Sequence, residues 1–353
     1  MPGHPVQRRS FLGLLGGLAL LSGCATPGAG GGNAEPAFFD VRSGERLGRR
    51  RLLARMEPAT IVLLGEVHDN TEHHRIRASL LLDWVHSEPT RPAAVVFEQL
   101  DREYNEALRQ AQKQQAASRA AGSNTAQARI MELLDAARFN RQAWGWPAHL
   151  PLFEAAQASG ALWIAGNFSR ASAQRLSREP GAPVDPVLQA VVESARWSEP
   201  AQQDLERVLM EGHCNALPAP VLASIAKAQR LRDAALALPL LDANERRSVL
   251  IAGNGHVRRD HGVPRYLGAY EKEALVIGFE EVAASPSTGD LAGRVGAARA
   301  DDIARAYDLV CLTPAAPKED PCARPTAGTA AASLEQTRQA TFSPVAPRRI
   351  PSR

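Results

Sequence analysis

The stretch IVLLGEVHDN, residues 61–70, decides how the fold of this chain is interpreted. Its apolar residues run straight into Gly65, Glu66, His68 and Asp69, without a polar spacer. Continuous short runs rich in Val, Ile and Leu are typical of strands that are covered on both faces, as in a parallel sheet. In open α/β sheets the ligand crevice lies outside the carboxyl ends of the strands. The stretch therefore predicts a buried strand whose carboxyl end forms one wall of a site.

Further apolar runs of the same kind follow along the chain. They cover residues 93–98, 161–166, 248–253, 274–279 and 307–312. Between the runs at 60–65 and 93–98, Ile76, Leu80 and Trp84 recur at helical spacing behind an N-cap at Asn70 or Thr71. A strand, a helix and a second strand in this order form a βαβ unit with a right-handed crossover. We therefore expect an α/β fold with a mainly parallel sheet flanked by helices.

Two long segments, residues 102–145 and 184–245, lack strand signals and are rich in helix-forming residues. We interpret them as a smaller helical insert or lid beside the sheet. The whole α/β domain is expected to span residues 37–312. On its first predicted helix, His73 shares the apolar face and is interpreted as a core histidine, whereas His74 points elsewhere.

The N-terminal residues predict an export signal. Residues 1–23 combine Arg8 and Arg9 with an apolar run of about a dozen residues, and small residues precede Cys24. The run is shorter than the ~20 apolar residues that a membrane-spanning helix requires. The arginine pair resembles a twin-arginine signal, with the general secretory route as the alternative. Leu-Ser-Gly-Cys resembles a lipobox, in which Cys24 receives lipid such as palmitate.

Lipid on Cys24 anchors the predicted mature protein to a membrane, and Ala25 favours the outer membrane, facing the periplasm or the cell surface. Residues 24–36 are rich in Gly, Ala and Pro and predict a flexible tether. The chain has a net charge of +3, and residues 1–23 contain two Arg and no acidic residue, so removal of the signal leaves +1. No long Lys/Arg run remains, so no nucleic-acid partner is expected.

At the other end, residues 313–353 are rich in Pro, Ala, Thr and Arg without periodicity, and predict a disordered tail. Cys311 and Cys322 bracket the beginning of this region. Because thiols pair in an oxidising compartment, we expect a Cys311–Cys322 disulfide, with two free thiols as the alternative. Cys214 is then expected to be a buried, unpaired thiol.

Polar residues follow several of the predicted strands at the point where each strand ends. Glu66 and His68 follow the first strand, Glu98 ends the second, and Asn254 and His256 follow the fourth. Gly-x-x-His occurs twice in these positions, and glycine lets the backbone turn sharply and approach a ligand closely. We expect these side chains to converge on one functional rim. The alternative is a hydrogen-bonded network that only rigidifies the edge of the sheet.

Several segments in combination resemble the ChaN-type haem-binding lipoproteins, a branch of a superfamily that includes TraB/Tiki proteins and erythromycin esterases. They are GEVHDN, VVFE, WGWP at 144–147, AGN at 165–167, GHC…LP at 212–218 and GNGHVRRDHGVPRYL at 253–267. The resemblance covers about residues 37–312. It implies an α/β core with a smaller helical part, membrane anchoring, and haem shared by two protomers of a homodimer in iron uptake. The polar set that it implies comprises Glu66, His68, Glu98 and His256.

The resemblance also implies a tyrosine as the iron ligand, and haem iron generally takes His, Cys, Met or Tyr. Tyr104 and Tyr266 are the two candidates at the rim. Arg258, Arg259 and Arg265 are candidates for pairing with haem propionates, because guanidinium forks match carboxylates; the alternative is a solvated basic turn. No Cys-x-x-Cys-His occurs, which excludes covalent c-type attachment. The other candidate haem contacts are Glu66, His68, Glu98, Asn254 and His256.

Three functions remain open at this point. The first is non-covalent haem binding without catalysis, although an aromatic content of only 5% disfavours a roomy haem pocket. The second is a hydrolase built on Glu66, His68, Glu98 and His256, either by acid/base chemistry or with a divalent metal on His68 and His256. The absence of HExxH and Gly-x-Ser-x-Gly disfavours this hydrolase. The third is a partner-binding lipoprotein that has lost its ligand.

Overall fold

The computed structural model describes residues 36–118, 125–179, 182–242, 246–282, 289–317 and Cys322. The predicted export signal at 1–23, the lipidation site Cys24, the tether apart from Pro36, and residues 323–353 of the predicted tail lie outside these ranges. Within the part of the chain that is described, no helix has the length and apolar character that a membrane crossing requires.

Eight strands in the described ranges form one mixed sheet. They are β1 (Ala37–Asp40), β2 (Arg46–Leu47), β3 (Ile61–Leu64), β4 (Ala93–Asp101), β5 (Leu162–Asn167), β6 (Arg247–Ile251), β7 (Leu275–Val282) and β8 (Leu309–Pro314). Their order across the sheet is β2-β1-β8-β7-β3-β6-β4-β5. Strands β3 to β8 are parallel to one another, whereas β1 and β2 add an antiparallel edge. Every predicted strand is present, and the expected mainly parallel α/β fold is confirmed.

Helices cover the sheet and form the predicted insert. They are α1 (Arg49–Met56), α2 (Thr71–Ser87), α3 (Asn105–Ser118), α4 (Ala126–Ala136), α5 (Leu150–Ser159), α6 (Arg170–Arg178), α7 (Pro186–Ser194), α8 (Glu199–Gly212), α9 (Ala219–Leu241), α10 (Asn254–Val257), α11 (Val263–Gly268), α12 (Leu291–Val295) and α13 (Ala297–Ala306). A short 3-10 turn, Arg102–Tyr104, precedes α3. The described parts of both long polar segments are therefore mainly helical, as predicted from their composition.

The sheet has an apolar core on each face, which explains why its strands are continuously apolar. In β3, Val62 and Leu64 pack into one core, which α2 and α5 complete. Ile61 and Leu63 alternate with them and pack into the other core, largely against α9. A strand that is buried on both faces has no solvent-facing positions left for polar residues. The first polar residues of β3 therefore appear only where the strand ends.

Helix α2 begins directly after the polar loop that follows β3. The side chain of Asn70 accepts hydrogen bonds from the backbone N–H groups of Glu72 at 3.0 Å and His73 at 3.4 Å, as an N-cap does. His73 is wholly buried and accepts from the Val67 N–H at 3.0 Å, while its other ring nitrogen bonds the Thr313 hydroxyl at 2.7 Å. His73 is thus a core residue, as predicted, and it fixes the loop that carries the site.

The predicted Cys311–Cys322 disulfide is wrong, because Cys322 pairs with Cys214. Cys311 lies inside the interior strand β8, and its thiol is buried in the core. A side chain held on the inner face of a strand cannot turn outward to meet Cys322. The bond instead joins the loop after α8 to the chain beyond β8. That strand continues past the predicted boundary at Leu312, and Ala315 donates to the Val282 carbonyl at 3.2 Å.

Candidate functional site

The carboxyl ends of β3, β6 and β4 are neighbours in the sheet, and polar side chains gather there. Glu66 and His68 follow β3, Glu98 belongs to β4, and His256 lies in α10 just after β6. These four side chains, which we name the carboxyl-edge cluster, contact one another. They meet despite their separation in the chain because parallel strands place their carboxyl ends at one edge of the sheet.

His68 is the member of the cluster that faces the outside. Its Nδ1 atom lies 2.8 Å from Oε1 of the buried Glu66, and an ionised carboxylate can only accept, so this nitrogen carries the proton. The lone pair of neutral His68 is therefore on Nε2, which lies 3.9 Å from Oε1 of Glu98. The side chain is 51% exposed, and the Trp144 ring packs edge-on at 5.3 Å. His68 thus presents a half-exposed imidazole whose unprotonated nitrogen is directed toward Glu98.

His256 lies deeper and is held between two carboxylates. Its Nε2 is 3.3 Å from Oε1 of Glu98, and its Nδ1 is 2.6 Å from Oδ1 of the fully buried Asp233. Burial lowers the pKa of His256, but the charges of Glu98 and Asp233 together raise it to about 10. Burial in turn raises the pKa of Asp233 to about 6. Without a ligand, His256 is therefore an imidazolium at neutral pH.

Glu98 is the acceptor that the two histidines share. Burial disfavours its charged form, yet the charges of His256 and His68 hold the pKa of its carboxyl well below the usual range. Its other oxygen, Oε2, accepts the backbone N–H of Gly253 at 2.7 Å. The carboxylate is therefore ionised, and one of its oxygens is fixed by the backbone.

Glycine at position 253 is required by the packing of the cluster. A Cβ atom there would lie 2.7 Å from both Cε1 and Nε2 of His68 and 3.6 Å from Oε2 of Glu98. Asn254, a predicted haem contact, instead joins α10 to β7, because its side chain bonds both backbone groups of Phe279. The structure therefore gives Asn254 a positioning role beside the cluster.

Behind the cluster, two buried histidines point at the same carboxylate. His74 Nε2 lies 3.0 Å from Oε2 of Glu66, and His149 Nε2 lies 3.5 Å from its Oε1. The Nδ1–H groups donate to the carbonyls of Ala148 at 2.9 Å and Trp144 at 3.0 Å. Burial lowers the pKa of His74, and burial with nearby positive charge lowers that of His149 to about 3. His74 is nevertheless buried, because α2 is covered on its α5 side as well as on the face that carries Ile76 and Leu80.

Glu66, His74 and His149 have the spacing of metal ligands, with ligand atoms within 4.8 Å of one another. The wholly buried Arg77, however, forms an ion pair with Glu66, and Gln99 donates to Glu66 at 3.3 Å. Glu66 is the one carboxylate of this trio, and a guanidinium that neutralises it leaves no net negative charge to favour a second, fully buried cation. We therefore interpret this trio as a rigid network behind His68.

The open part of the cluster also carries metal-type donors, although the ligand atoms of His68, Glu98 and His256 do not all lie within 4.8 Å of one another. The Nε2 atoms of His68 and His256 lie 3.9 and 3.3 Å from the same oxygen of Glu98. Ligand atoms around a tetrahedral metal with arms of about 2.0–2.2 Å are separated by about 3.3–3.5 Å. Both Nδ1 atoms face carboxylates, those of Glu66 and Asp233, and metal-bound imidazoles are commonly oriented by carboxylates in this way. These residues are chemically able to hold a metal.

The two candidate tyrosines occupy different environments. Tyr104 ends the turn after β4 and is half-buried, and the Arg138 guanidinium stacks over its ring at 5.1 Å. Tyr266 is wholly buried in the core that lines α9, and burial raises the pKa of its hydroxyl above the usual range. Only Tyr104 of this pair has a phenol that ligands can approach without opening the core.

The three candidate arginines do not face the cluster. Arg258 pairs with Asp260 and Asp302. Arg259 pairs with Asp308 and donates to the Ala274 carbonyl at 2.7 Å, which places it at the opposite, amino-terminal edge of the sheet. Arg265 donates to the carbonyls of Asp260 and Arg196 at 2.7 Å. This prediction is wrong because α10 leads the chain away from the carboxyl edge within a few residues.

Basic and aromatic side chains do occur near the cluster, on the loop between α4 and α5. Trp144 contacts His68, and the Arg141 guanidinium lies 6.0 Å from the Trp146 ring. Arg138 stacks on Tyr104 as described above. This loop contains the Trp-Gly-Trp-Pro motif at 144–147. It supplies apolar surface and cations beside an exposed imidazole.

The residues that support the cluster from behind were not predicted from the sequence. They are His74, Arg77, Gln99, His149, Gln229 and Asp233. The one available signal was Asp233, an acidic residue in an otherwise apolar stretch of α9. A separate apolar cavity of about 660 Å³, lined in part by Ile164, Val191 and Leu238, contains no member of the cluster.

Comparisons with known proteins fit this architecture. The family described as haem-binding uptake, Tiki superfamily, ChaN matches residues 52–267. A structure described as cofacial haem binding to ChaN of Campylobacter jejuni is similar at 15% identity, with a TM-score of 0.61, over 79% of this chain and 97% of that chain.

A second solved structure is more distant. A mutant of the erythromycin esterase EreC in its open conformation aligns at 14% identity over 82% of this chain and 99% of that chain. Its TM-score is 0.40. No curated protein matches the chain significantly. The family match over most of the domain establishes that the chain belongs to the ChaN family of haem-binding uptake proteins in the Tiki superfamily.

Proposed function

We propose that the protein binds haem non-covalently beside the carboxyl-edge cluster and serves in haem or iron acquisition or storage. In this proposal it is an exported lipoprotein anchored through Cys24, in the outer membrane. Family membership supports the ligand. The observation that carries the proposal is the half-exposed His68, whose ring packs beside Trp144 and whose unprotonated Nε2 is directed toward Glu98.

The donors at this face fit haem. An axial ligand of haem iron is commonly His or Tyr, and the group supplies an iron with open axial positions. His68 offers a lone pair on Nε2, and Tyr104 offers an accessible phenol. Trp144 and Trp146 supply aromatic surface, and the Arg138 guanidinium suits a propionate, whereas Arg141 already pairs with Asp135.

A second function has specific support in the same residues. A metal-dependent or acid/base hydrolase would use Glu66, His68, Glu98 and His256. The geometry that favours it is the oxygen of Glu98 shared by two imidazoles, each oriented by a buried carboxylate. His68 Nε2 is then the general base or a metal ligand, because Glu66 fixes the proton on Nδ1.

Haem shared between two copies is part of the first proposal. A ligand bound across an interface stabilises the dimer by mass action, so haem should increase the dimer fraction. Light scattering of the full chain in detergent, with and without haem, measures this. Equal molar masses with and without haem would contradict haem sharing between two copies but would not contradict haem binding by a single protomer.

A haem titration followed by the Soret band separates the two functions when the metal content of the untreated protein is measured on the same sample. We expect saturable binding that Tyr104→Phe or His68→Phe weakens and that is unchanged in Tyr270→Phe, an exposed tyrosine outside the carboxyl-edge cluster. Absence of saturable haem binding, together with a stoichiometric metal that His68→Ala removes, would contradict the haem proposal and favour the hydrolase.

A further inference from the structure

A second group of ligand-type side chains lies away from the carboxyl-edge cluster. Asp204 belongs to α8 of the helical insert, whereas Asp260 and His261 belong to the loop between α10 and α11. Nδ1 of His261 is 3.2 Å from Oδ1 of Asp260 and 3.8 Å from Oδ2 of Asp204. One ligand atom from each of the three residues lies within 4.8 Å of the others.

The imidazole of His261 lacks hydrogen-bonding partners among the described residues. Its side chain is only 3% exposed, and neither ring nitrogen forms a hydrogen bond with them. The Oδ1 atom of Asp260 is near Nδ1 but is not aligned for a hydrogen bond. A buried polar group without a partner destabilises the folded state, so such a group calls for a ligand. The nitrogen points at two carboxylates, which identifies that ligand as a cation.

We propose that Asp204, Asp260 and His261 bind one divalent transition-metal ion and thereby join α8 to the loop that follows α10. One imidazole with two carboxylates is a donor set for ions such as Zn²⁺, Mn²⁺ or Fe²⁺. The spacings of 3.2 and 3.8 Å bracket the separation of about 3.3–3.5 Å expected around a tetrahedral Zn²⁺. Asp204 is 40% exposed, so the ion enters from solvent past this side chain.

Existing partners of the two carboxylates leave these ligand positions usable. Arg207 bonds Oδ1 of Asp204, so Oδ2, which faces His261, stays available to a metal. Arg258 bonds both oxygens of Asp260 and also pairs with Asp302. A carboxylate oxygen has more than one lone pair, and metal-bound carboxylates are commonly hydrogen-bonded by outer groups. Unlike Glu66, which is the one carboxylate of its trio, Asp260 shares Arg258 with Asp302, and Asp204 adds a further negative charge. Arg207 and Arg258 therefore act as orienting neighbours of the ion.

Metal binding at this site would make the stability of the helical insert depend on the metal concentration. Leu205 is the one fully buried residue of α8, and a shared ion adds a tie between this helix and the chain segment just after His256. A metal that binds only the folded state raises stability in proportion to ln(1 + [metal]/Kd). This role is independent of haem binding and of any hydrolase, because no residue of the carboxyl-edge cluster takes part.

The test is a Zn²⁺ titration of the tag-free full chain in detergent after treatment with a chelator, by calorimetry and by thermal unfolding. All measurements use a His68→Ala background, which removes a donor from the carboxyl-edge cluster, so that bound Zn²⁺ is assigned elsewhere. Into this background Asp204→Asn and His261→Gln are introduced. Glu211→Gln is the matched control, because this carboxylate also lies on α8 and pairs with Arg207 but does not reach His261.

We expect one Zn²⁺ per chain in the background and in the Glu211→Gln control, with a higher melting temperature when Zn²⁺ is present. Affinity should fall at least tenfold in Asp204→Asn and in His261→Gln. Asp204→Asn changes a partly exposed side chain, so its melting temperature without metal should match the background and exclude misfolding as the cause. Equal Zn²⁺ affinity in all variants, or no Zn²⁺ binding in the background, would overturn the proposal.

Discussion

Nε2 of His68 lies 3.9 Å from Oε1 of Glu98, and it is the exposed end of a chain of contacts that runs into the core. The same oxygen of Glu98 lies 3.3 Å from Nε2 of His256, and Nδ1 of His256 lies 2.6 Å from Oδ1 of Asp233. On the other side, Glu66 holds Nδ1 of His68 at 2.8 Å. One accessible imidazole is therefore positioned by buried charges on both of its nitrogens. A ligand that engages His68 also alters the environment of the buried ions.

Replacement of His256 should strongly destabilise the fold. In His256→Gln, the carboxylates of Glu98 and Asp233 remain buried without their shared cation, and breaking such a buried pair costs about 3–5 kcal/mol. Urea unfolding measures this loss. The exposed His86→Gln is the control and should be neutral. A loss below about 1 kcal/mol in His256→Gln would show that the two carboxylates do not need the imidazolium.

The same histidine should make stability fall in alkaline solution. Its pKa is raised from 6.5 to about 10 in the folded state, so its contribution is complete below pH 6.5 and is lost as the pH rises through about 10. Asp233 titrates lower, near 6, and Glu98 lower still, so neither masks this window. The difference in unfolding free energy between wild type and His256→Gln should therefore shrink from about pH 7 to about pH 10. A constant difference would contradict the assigned charge.

Arg77 should contribute strongly to the free energy of unfolding, although its side chain is wholly buried. Arg77→Met leaves the wholly buried Glu66 without its ion-pair partner, which should cost about 3–5 kcal/mol. Arg75→Met on the same helix removes a solvent-exposed pair with Glu72 and should cost at most about 1 kcal/mol. Chemical denaturation of both variants measures the two losses in unfolding free energy. Equal effects would mean that Glu66 is not held by Arg77.

The disulfide assignment leads to a separate expectation. Peptide mapping of the unreduced protein should recover a Cys214–Cys322 link and a Cys311 thiol that reacts only after unfolding. Because the sequence separation is 108 residues, loss of the bond in Cys214→Ser should destabilise by up to about 4.7 kcal/mol. Cys311→Ala should leave the link in place. Recovery of a Cys311–Cys322 peptide would contradict the structure.

The sequence was most informative where a structural feature depends only on residues that are close together in the chain. Each predicted parallel strand is a continuous apolar run, and a helix cap such as Asn70 depends only on its neighbours in the chain. The convergence of Glu66, Glu98 and His256 followed from the rule that parallel strands end at one edge. The short strands β1 and β2 carry too few residues to show a pattern.

What could not be predicted depends on tertiary packing. To predict the contact of His149 with Glu66, one must know that the loop before α5 folds over the carboxyl edge. Asp233 reaches His256 only because α9 packs on the other face of the sheet. The arginines after His256 were misassigned because a turn of helix carries them away from the carboxyl edge. The partner of Cys322 was likewise set by the depth of Cys311, which spacing does not reveal.

The most direct test of the haem site is a Soret titration of a matched pair of glycine variants. In Gly253→Ala the new methyl group would lie 2.7 Å from the His68 ring and must displace it, whereas in Gly255→Ala the nearest atom is 4.0 Å away. We predict haem binding about tenfold weaker or more for Gly253→Ala, which corresponds to about 1.4 kcal/mol, and no change for Gly255→Ala. Wild-type affinity in both variants would show that haem does not bind beside His68.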